Sequence, residues 1–444
     1  MTVARTICLG FLILIGVGTS LLWLPFSTAT GEWNDPVTAL FTATSAVCVT
    51  GLIVVDTGTH HSLFGEMVIL LLIQLGGLGY MTATTFLLIL LGRRFGLREK
   101  LAIQKSLDLR GLSNAVQLVK SIIVLTLVFE LLGAIFLYPV FSKDYGAIFG
   151  LWLAVFHSIS AFNNAGFSLF ADSLTQYATS IPINTVIPFL ILVGGLGYQV
   201  MMEMYIWGRD RLQGRREHAD FSLNFKISIS TSTFLLILGT LALFAIEYRN
   251  SAVLGGFTLG EKLMVAWFHS VMPRTAGFNS VDYGQFTTTG LLLTIALMFI
   301  GANPGGTGGG IKTTTFRILF SCTKAVLRSK EEVLCFQRQI PNTLIMKAVG
   351  VVFVSGVTVI SVTSFIAFSD PEIEFMQVLF EVVSAFATVG LSTGITASLS
   401  ILGKLAIIIV MYVGRVGVLL LISALLGDPK PTVVHYPEEN LLVG

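Results

Sequence analysis

Four short segments of the chain end alike: VCVTGL (47–52), FNNAGF (162–167), PRTAGF (273–278) and FATVGL (386–391). An aromatic residue stands ten positions before each glycine, in the pairs Phe41/Gly51, Phe156/Gly166, Trp267/Gly277 and Phe380/Gly390. Glycine takes positive φ without steric cost, so a chain turning there can present successive carbonyl oxygens on one side. Twelve such oxygens would come from Val49, Thr50 and Gly51, from Asn164, Ala165 and Gly166, from Thr275, Ala276 and Gly277, and from Thr388, Val389 and Gly390. Gathered around one axis, they would replace the hydration shell of a cation. That chemistry is coordination, with no bond made or broken. An enzyme would need paired carboxylates, a metal-ligating histidine spacing or a nucleophile motif, and none is found. Cys8, Cys48, Cys322 and Cys335 form neither a metal spacing nor a persuasive disulfide pair.

A second constellation is GANPGGTGGGIKTTT (301–315), which follows the apolar run LLLTIALMFI (291–300). Pro304 with Gly305, Gly306, Gly308, Gly309 and Gly310 cannot continue a helix. The string GGGIKT approaches the phosphate-binding GxxxxGK[ST], but Ile311 separates Gly310 from Lys312 and no strand precedes it. It is therefore expected to be an irregular loop at membrane depth, tolerated only beside protein or a water-filled cavity. Arg415 interrupts the last apolar run, and a guanidinium there needs acceptors. Loop carbonyls or Asn303 are the expected partners.

The elements that must position these residues are apolar. Hydrophobic residues make up 54% of the 444, charged residues 12%, and mean hydropathy is +0.83. A spanning helix needs about 20 apolar residues. Stretches of that kind lie at 6–24, 67–91, 121–142, 184–202, 227–246, 286–311, 348–369 and 405–427. Between the members of each pair lies a shorter stretch, at 36–49, 148–164, 259–274 and 372–388. These are too short to cross and too apolar for ordinary loops, so each reads as a re-entrant half-helix. The expected fold is an all-α polytopic membrane protein, with four fused helix–pore-loop–helix repeats around a central pore. The repeats are 1–100, 101–215, 216–335 (with the intramembrane loop at 301–312) and 336–428; a tail, 429–444, follows. A second landmark follows each filter glycine: GGLGY at 76–80 and 194–198, GANPGG at 301–306 and GRVG at 414–417. The GGLGY glycines read as helix-packing positions.

Net charge is only +2, but 19 of the 27 Lys and Arg fall in the loops 92–120, 208–226 and 312–347. Segments 25–66 and 370–403 carry none. Lys/Arg excess marks the cytoplasmic side, so both termini are expected inside, with the glycine segments entering from outside. The basic loops also suit contact with anionic membrane lipids. Structural pairing is expected for Glu130, Glu203 and Glu247, and hydrogen bonding within the half-helices for His157 and His269. Arg274 is expected to brace the third turn.

On the four glycine segments, the RTAGF of repeat three, the glycine-rich break and Arg415, the whole chain resembles the Trk/Ktr/HKT superfamily of potassium transporters. Within it, the chain is most similar to the bacterial Ktr membrane subunits, whose C-terminus its own ending, HYPEENLLVG (435–444), also resembles. The resemblance implies a multi-pass protein of the bacterial plasma membrane, with potassium at the filter and no cofactor on this chain. Plant relatives with serine at the first filter position pass sodium, so Gly51 favours potassium; sodium permeation is the alternative. The resemblance assigns a gate to Asn303, Gly305, Gly306, Gly308, Gly309, Gly310, Lys312 and Arg415. It further implies a homodimer seated on a cytosolic nucleotide-binding ring, where ATP or ADP acts, with sodium stimulation and the tail at the dimer contact. Nucleic acid has no part in it.

Overall fold

The computed structural model describes residues 3–79, 115–214 and 221–427. The described helices fall into four successive quarters, each opening with a long helix followed by a short one and then a third. The first quarter holds α1 (Val3–Trp23), α2 (Pro36–Cys48) and α3 (Leu63–Leu78). The second holds α4 (Ala115–Tyr145), α5 (Ala147–Phe162), α6 (Ile181–Gly195) and α7 (Tyr198–Leu212). The third holds α8 (Leu223–Glu247), α9 (Leu259–Val271), α10 (Thr288–Phe299) and α11 (Thr313–Val326). A two-stranded hairpin, β1 (Leu334–Cys335) with β2 (Arg338–Gln339), leads into the fourth quarter. There lie α12 (Asn342–Ser369), α13 (Phe375–Phe386), α14 (Ile401–Val416) and α15 (Val418–Leu426).

The first helices of the quarters, α1, α4, α8 and α12, are each long and apolar enough to cross a membrane. Their outer faces expose Ile13, Leu131, Leu241 and Ile360, at 63%, 63%, 59% and 67%. Large side chains of this kind stand in water at a cost, but not in hydrocarbon. The short helices α2, α5, α9 and α13 sit inside and end close to their expected limits. Local chemistry sets where α2 begins: Pro36 occupies the first turn and the Asp35 carboxylate accepts from the Thr38 N–H at 2.9 Å.

The second helices depart from expectation. Continuous spans were expected over 184–202 and 405–427, but α6 meets α7 at 103° and α14 meets α15 at 92°. The hinge in each case is a left-handed glycine: Gly197 (φ 88°, ψ 137°) and Gly417 (φ 87°, ψ 134°). Gly79, at the end of α3, has the same conformation (φ 80°, ψ 138°). Packing is thus not the whole reading for Gly79 and Gly197: both hold a positive φ at which an L side chain would be strained, although a Cβ on Gly197 would also run into the Pro304 carbonyl. Packing is the right reading for Gly76 and Gly194. A Cβ on either, or on Gly414, would overlap the last carbonyls of the neighbouring short helix, 2.8, 3.0 and 2.8 Å from the carbonyl carbons of Val47, Phe162 and Phe386.

The core also corrects the register of the third quarter. Phe41, Phe156 and Phe380 are fully buried, but their counterpart is Phe268, also at 0% exposure, and not the partly buried Trp267. Ser158 donates to the Glu130 carbonyl at 2.6 Å and Ser270 to the Leu236 carbonyl at 2.8 Å, which pairs the two HS dipeptides. The third quarter therefore has one residue fewer between its buried aromatic and its glycine. Expectations for 80–91, for most of the first basic loop and for the tail 429–444 lie outside the described residues.

Candidate functional site

The four short helices converge on one point, and their terminal segments meet there. Gly51 lies against Ala165 and Gly166, Gly166 against Ala276 and Gly277, Gly277 against Val389 and Gly390, and Gly390 against Thr50 and Gly51. The glycines thus close a ring in chain order. Crowding is severe: a Cβ on Gly277 would fall 2.6 Å from the Val389 oxygen, and one on Gly166 2.8 Å from the Ala276 oxygen. All four glycines have positive φ, at 91°, 70°, 76° and 88°.

Two positions earlier, each segment holds a residue other than glycine in the left-handed region: Val49 (55°), Asn164 (59°), Thr275 (64°) and Thr388 (50°). For β-branched valine and threonine this conformation is a genuine outlier. Such strain persists only where the surroundings over-determine it. Its effect is to turn the amides back onto the short helices. The N–H of Thr50 donates to Ser45 at 2.8 Å, that of Ala165 to Ser160 at 2.8 Å, and that of Val389 to Ser384 at 2.8 Å. In the third segment Ala276 reaches Met272 at 3.0 Å, four residues back instead of five, which is the deletion seen in the core. Gly51 adds a bond from its N–H to the Ser45 hydroxyl at 3.1 Å.

With the donors turned away, the carbonyls are left over. Among the described residues, none of the twelve backbone oxygens expected to line the ring accepts a hydrogen bond. The eight residues other than glycine are all 0% exposed. Buried carbonyls are almost always paired, so a ring of twelve suits partners from outside the protein chain, water or a cation. A dehydrated cation is such a partner, and the negative ends of four helix dipoles point the same way.

The expected gate residues sit at the opposite end of these segments. Between α10 and α11 the chain folds into a loop closed by bonds from Gly301 to Ile311 (2.9 Å) and from Thr313 to Ala302 (3.3 Å). Gly308 lies against the Thr275 side chain and Gly309 against Thr388, with added Cβ atoms 3.0 and 3.1 Å from Thr275 Cβ and Thr388 Cγ2. The Thr307 hydroxyl donates to Asn164 Oδ1 at 3.0 Å. Loop glycines are thus required for the loop to touch three of the four segments. Gly305 and Gly306 dock on the second quarter: the Tyr198 N–H donates to the Gly305 carbonyl at 3.2 Å, and Gly306 abuts Gly195. Lys312 Nζ donates to the Gly308 carbonyl at 2.8 Å.

Arg415 does reach the loop, donating to the carbonyl of Thr307 and also to that of Gly76. Asn303 is not its partner. Asn303 Nδ2 donates to the Gly195 carbonyl at 3.2 Å, and its Oδ1 accepts from Ser232 at 3.3 Å and from Thr313. The acceptor role of Gly76 is missed from the sequence, because a backbone carbonyl leaves no compositional mark.

The glycine end opens into a cavity of about 530 Å³ that all four ring glycines line, together with Asp172 and Asp282. These two aspartates were also missed; only their lack of basic neighbours hinted at them. Other polar residues have structural partners. Glu130 accepts from Asn163 at 2.9 Å, Glu247 from the Thr287 N–H at 3.1 Å and Glu203 from the Ser222 N–H at 3.0 Å. His157 meets the Ser168 hydroxyl at 3.0 Å and His269 that of Ser280 at 3.2 Å. Arg274, next to the third segment, donates through Nη2 to the Leu297 carbonyl at 3.1 Å, while its Nε and Nη1 are buried without a partner among the described residues.

Residues 9–433 match the family model for TrkH, described as a cation transport protein. The chain is 38% identical to the Ktr system potassium uptake protein B of Bacillus subtilis, over 100% of this chain and 97% of that protein. Identity is 40% to the protein of the same name in Vibrio alginolyticus, with 99% and 94% covered. It is 38% to the potassium/sodium uptake protein NtpJ of Enterococcus hirae, with 99% and 97% covered. Among solved structures, the crystal structure of the potassium transporter TrkH from Vibrio parahaemolyticus matches with a TM-score of 0.74 over 95% of this chain and 84% of that one, at 18% identity.

Proposed function

The chain belongs to the TrkH family of cation transport proteins, and on that footing we propose that it is the ion-conducting subunit of a Ktr-type potassium uptake system in a bacterial plasma membrane. One observation carries this: the closed ring of buried carbonyl oxygens without a hydrogen-bond donor among the described residues. The four quarters act as fused repeats around a central pore. Each short helix is a re-entrant pore helix, and Val49–Gly51, Asn164–Gly166, Thr275–Gly277 and Thr388–Gly390 are the selectivity filter. A potassium ion in the ring trades its water shell for peptide oxygens at fixed separation. The filter is shorter than a potassium channel's, and the residues before its glycines differ, so discrimination is weaker. The named likeness to a potassium/sodium uptake protein supports sodium permeation as a second reading.

The cavity at the glycine end is the outer mouth, where Asp172 and Asp282 raise the local cation concentration. The loop at 301–312 lies across the inner end of the filter and, held by Arg415, obstructs the path as a gate. Both termini are cytoplasmic. The relatives' names, which speak of a system, support assembly with other components. Those we assign are a second copy of this chain and a cytosolic nucleotide-binding ring that acts on the gate, with sodium stimulation. Rubidium uptake by proteoliposomes holding the purified chain tests the function. Uptake that external potassium suppresses more strongly than equal sodium is expected; a folded, monodisperse chain that moves no rubidium refutes it.

A further inference from the structure

The helix leaving the gate loop carries a basic hollow that ion conduction does not use. On α11 and the hairpin after it, Arg317, Lys324, Arg328 and Lys330 line a cavity of about 260 Å³, with Glu332 its one acidic member. Phe320 and Phe336 form apolar walls, and the Arg317 guanidinium lies 5.6 Å from the Phe336 ring centre. Arg317 Nε is buried without a hydrogen-bond partner. Among the described residues the one ion pair is Arg209–Asp210, elsewhere in the molecule, so these four cations have no carboxylate in salt-bridge range. The hollow thus holds an excess of three positive charges and an unspent buried donor.

Its surroundings say where the counter-charge comes from. Phe320, Val326, Leu327 and Leu334 beside it are 55%, 70%, 82% and 49% exposed. The segment lies between the end of the gate loop and the start of α12, a helix long enough to cross a membrane. Cations alternating with exposed aromatic and aliphatic residues at such a place mark a helix lying in the headgroup region. A soluble phosphate would use the cations and leave the apolar rim in water. A lipid uses both.

We propose that this hollow binds the phosphate headgroup of an anionic phospholipid of the inner leaflet, with its acyl chains along Phe320 and Leu334. The probe is phosphatidylglycerol offered to the full-length chain in mild detergent, with phosphatidylcholine as the neutral comparison and native mass spectrometry counting retained lipid. Preferential retention of phosphatidylglycerol is expected. Each cation near a membrane surface contributes about 1 kcal/mol, roughly fivefold in affinity, so the triple variant Arg317→Gln, Lys324→Gln, Arg328→Gln should bind on the order of 100-fold more weakly. Arg209→Gln with Arg211→Gln, on α7, should leave retention unchanged, and size-exclusion profiles and melting of all variants establish folding. Equal retention by the wild-type chain and the triple variant overturns the proposal. So does full displacement by inorganic phosphate, which assigns the hollow to a soluble anion. A triple variant that keeps its lipid but loses a co-purifying cytosolic protein also overturns it, in favour of protein docking. Rubidium flux in vesicles with and without phosphatidylglycerol rests on the gate assignment: bound lipid with unaltered flux sinks the gate and leaves the site standing.

Discussion

Replacing Arg415 with alanine removes the one side chain, among the described residues, that hydrogen-bonds both the loop at 301–312 and α3. Its guanidinium donates to the Thr307 carbonyl in the loop and to the Gly76 carbonyl near the end of α3. A hydrogen bond from a charged donor contributes about 1.5–3 kcal/mol. Only the bond to Thr307 holds the loop itself, so its loss weakens the obstructing arrangement by about 1.5–3 kcal/mol, and the Thr307 carbonyl is left without its donor. At about 1.4 kcal/mol per factor of ten, the closed-to-open ratio falls by about one to two orders of magnitude. Initial rubidium uptake into proteoliposomes, with no cytosolic partner present, should rise accordingly until the filter limits it. Arg415→Lys keeps the charge but not the planar fork that spans two acceptors, so its rate should be intermediate. Lys312 remains on the Gly308 carbonyl in both variants, so the loop loses its tether without losing its internal closure. An alanine variant that is monodisperse, melts like the parent and shows the parent's rate refutes the gate.

Gly51→Ser places a side chain at φ 91° against the Ala165 carbonyl. The ring must spread there, and the potassium-to-sodium uptake ratio should fall; an unchanged ratio removes the filter assignment. Gly194→Ala and Gly414→Ala each drive a methyl group into the last carbonyls of a short helix, α5 or α13, and overpacking of this kind costs about 1–3 kcal/mol. Both should lower the melting temperature, which differential scanning fluorimetry in detergent reads. Asp172→Asn with Asp282→Asn should slow uptake at low ionic strength and leave it unchanged at high salt, because exposed charges are screened. His61, in the segment before α3, is 3% exposed, and burial holds its imidazole at about 4, below the ordinary 6.5. The unfolded chain therefore binds a proton there that the folded chain does not. Stability should decline as pH falls from 6.5 towards 4, by about 3 kcal/mol in all, with no such slope above that window. His61→Gln should flatten the melting profile across the same range.

Much of this was legible in the residues. The four glycine segments, the short apolar stretches between longer ones, and the glycine-rich break after Ile300 were read in the right places, because composition and spacing record where backbone must be apolar and where it cannot be helical. Repeat three was misaligned by one residue, since Trp267 and Phe268 are both aromatic and only burial separates them. The bends at Gly197 and Gly417 were missed for a similar reason: in an apolar run, glycine for packing and glycine for a turn look the same.

By itself, then, the sequence determined the apolar, helical membrane class and singled out the four glycines that meet in the ring, which follow from hydrophobic length and from the unique freedom of a residue without a Cβ. Only the tertiary structure decided that the left-handed strain falls on Val49, Asn164, Thr275 and Thr388, and that Arg415 reaches across to Gly76. Both depend on backbone atoms that every residue shares. What distinguishes one carbonyl from another is where the fold points it.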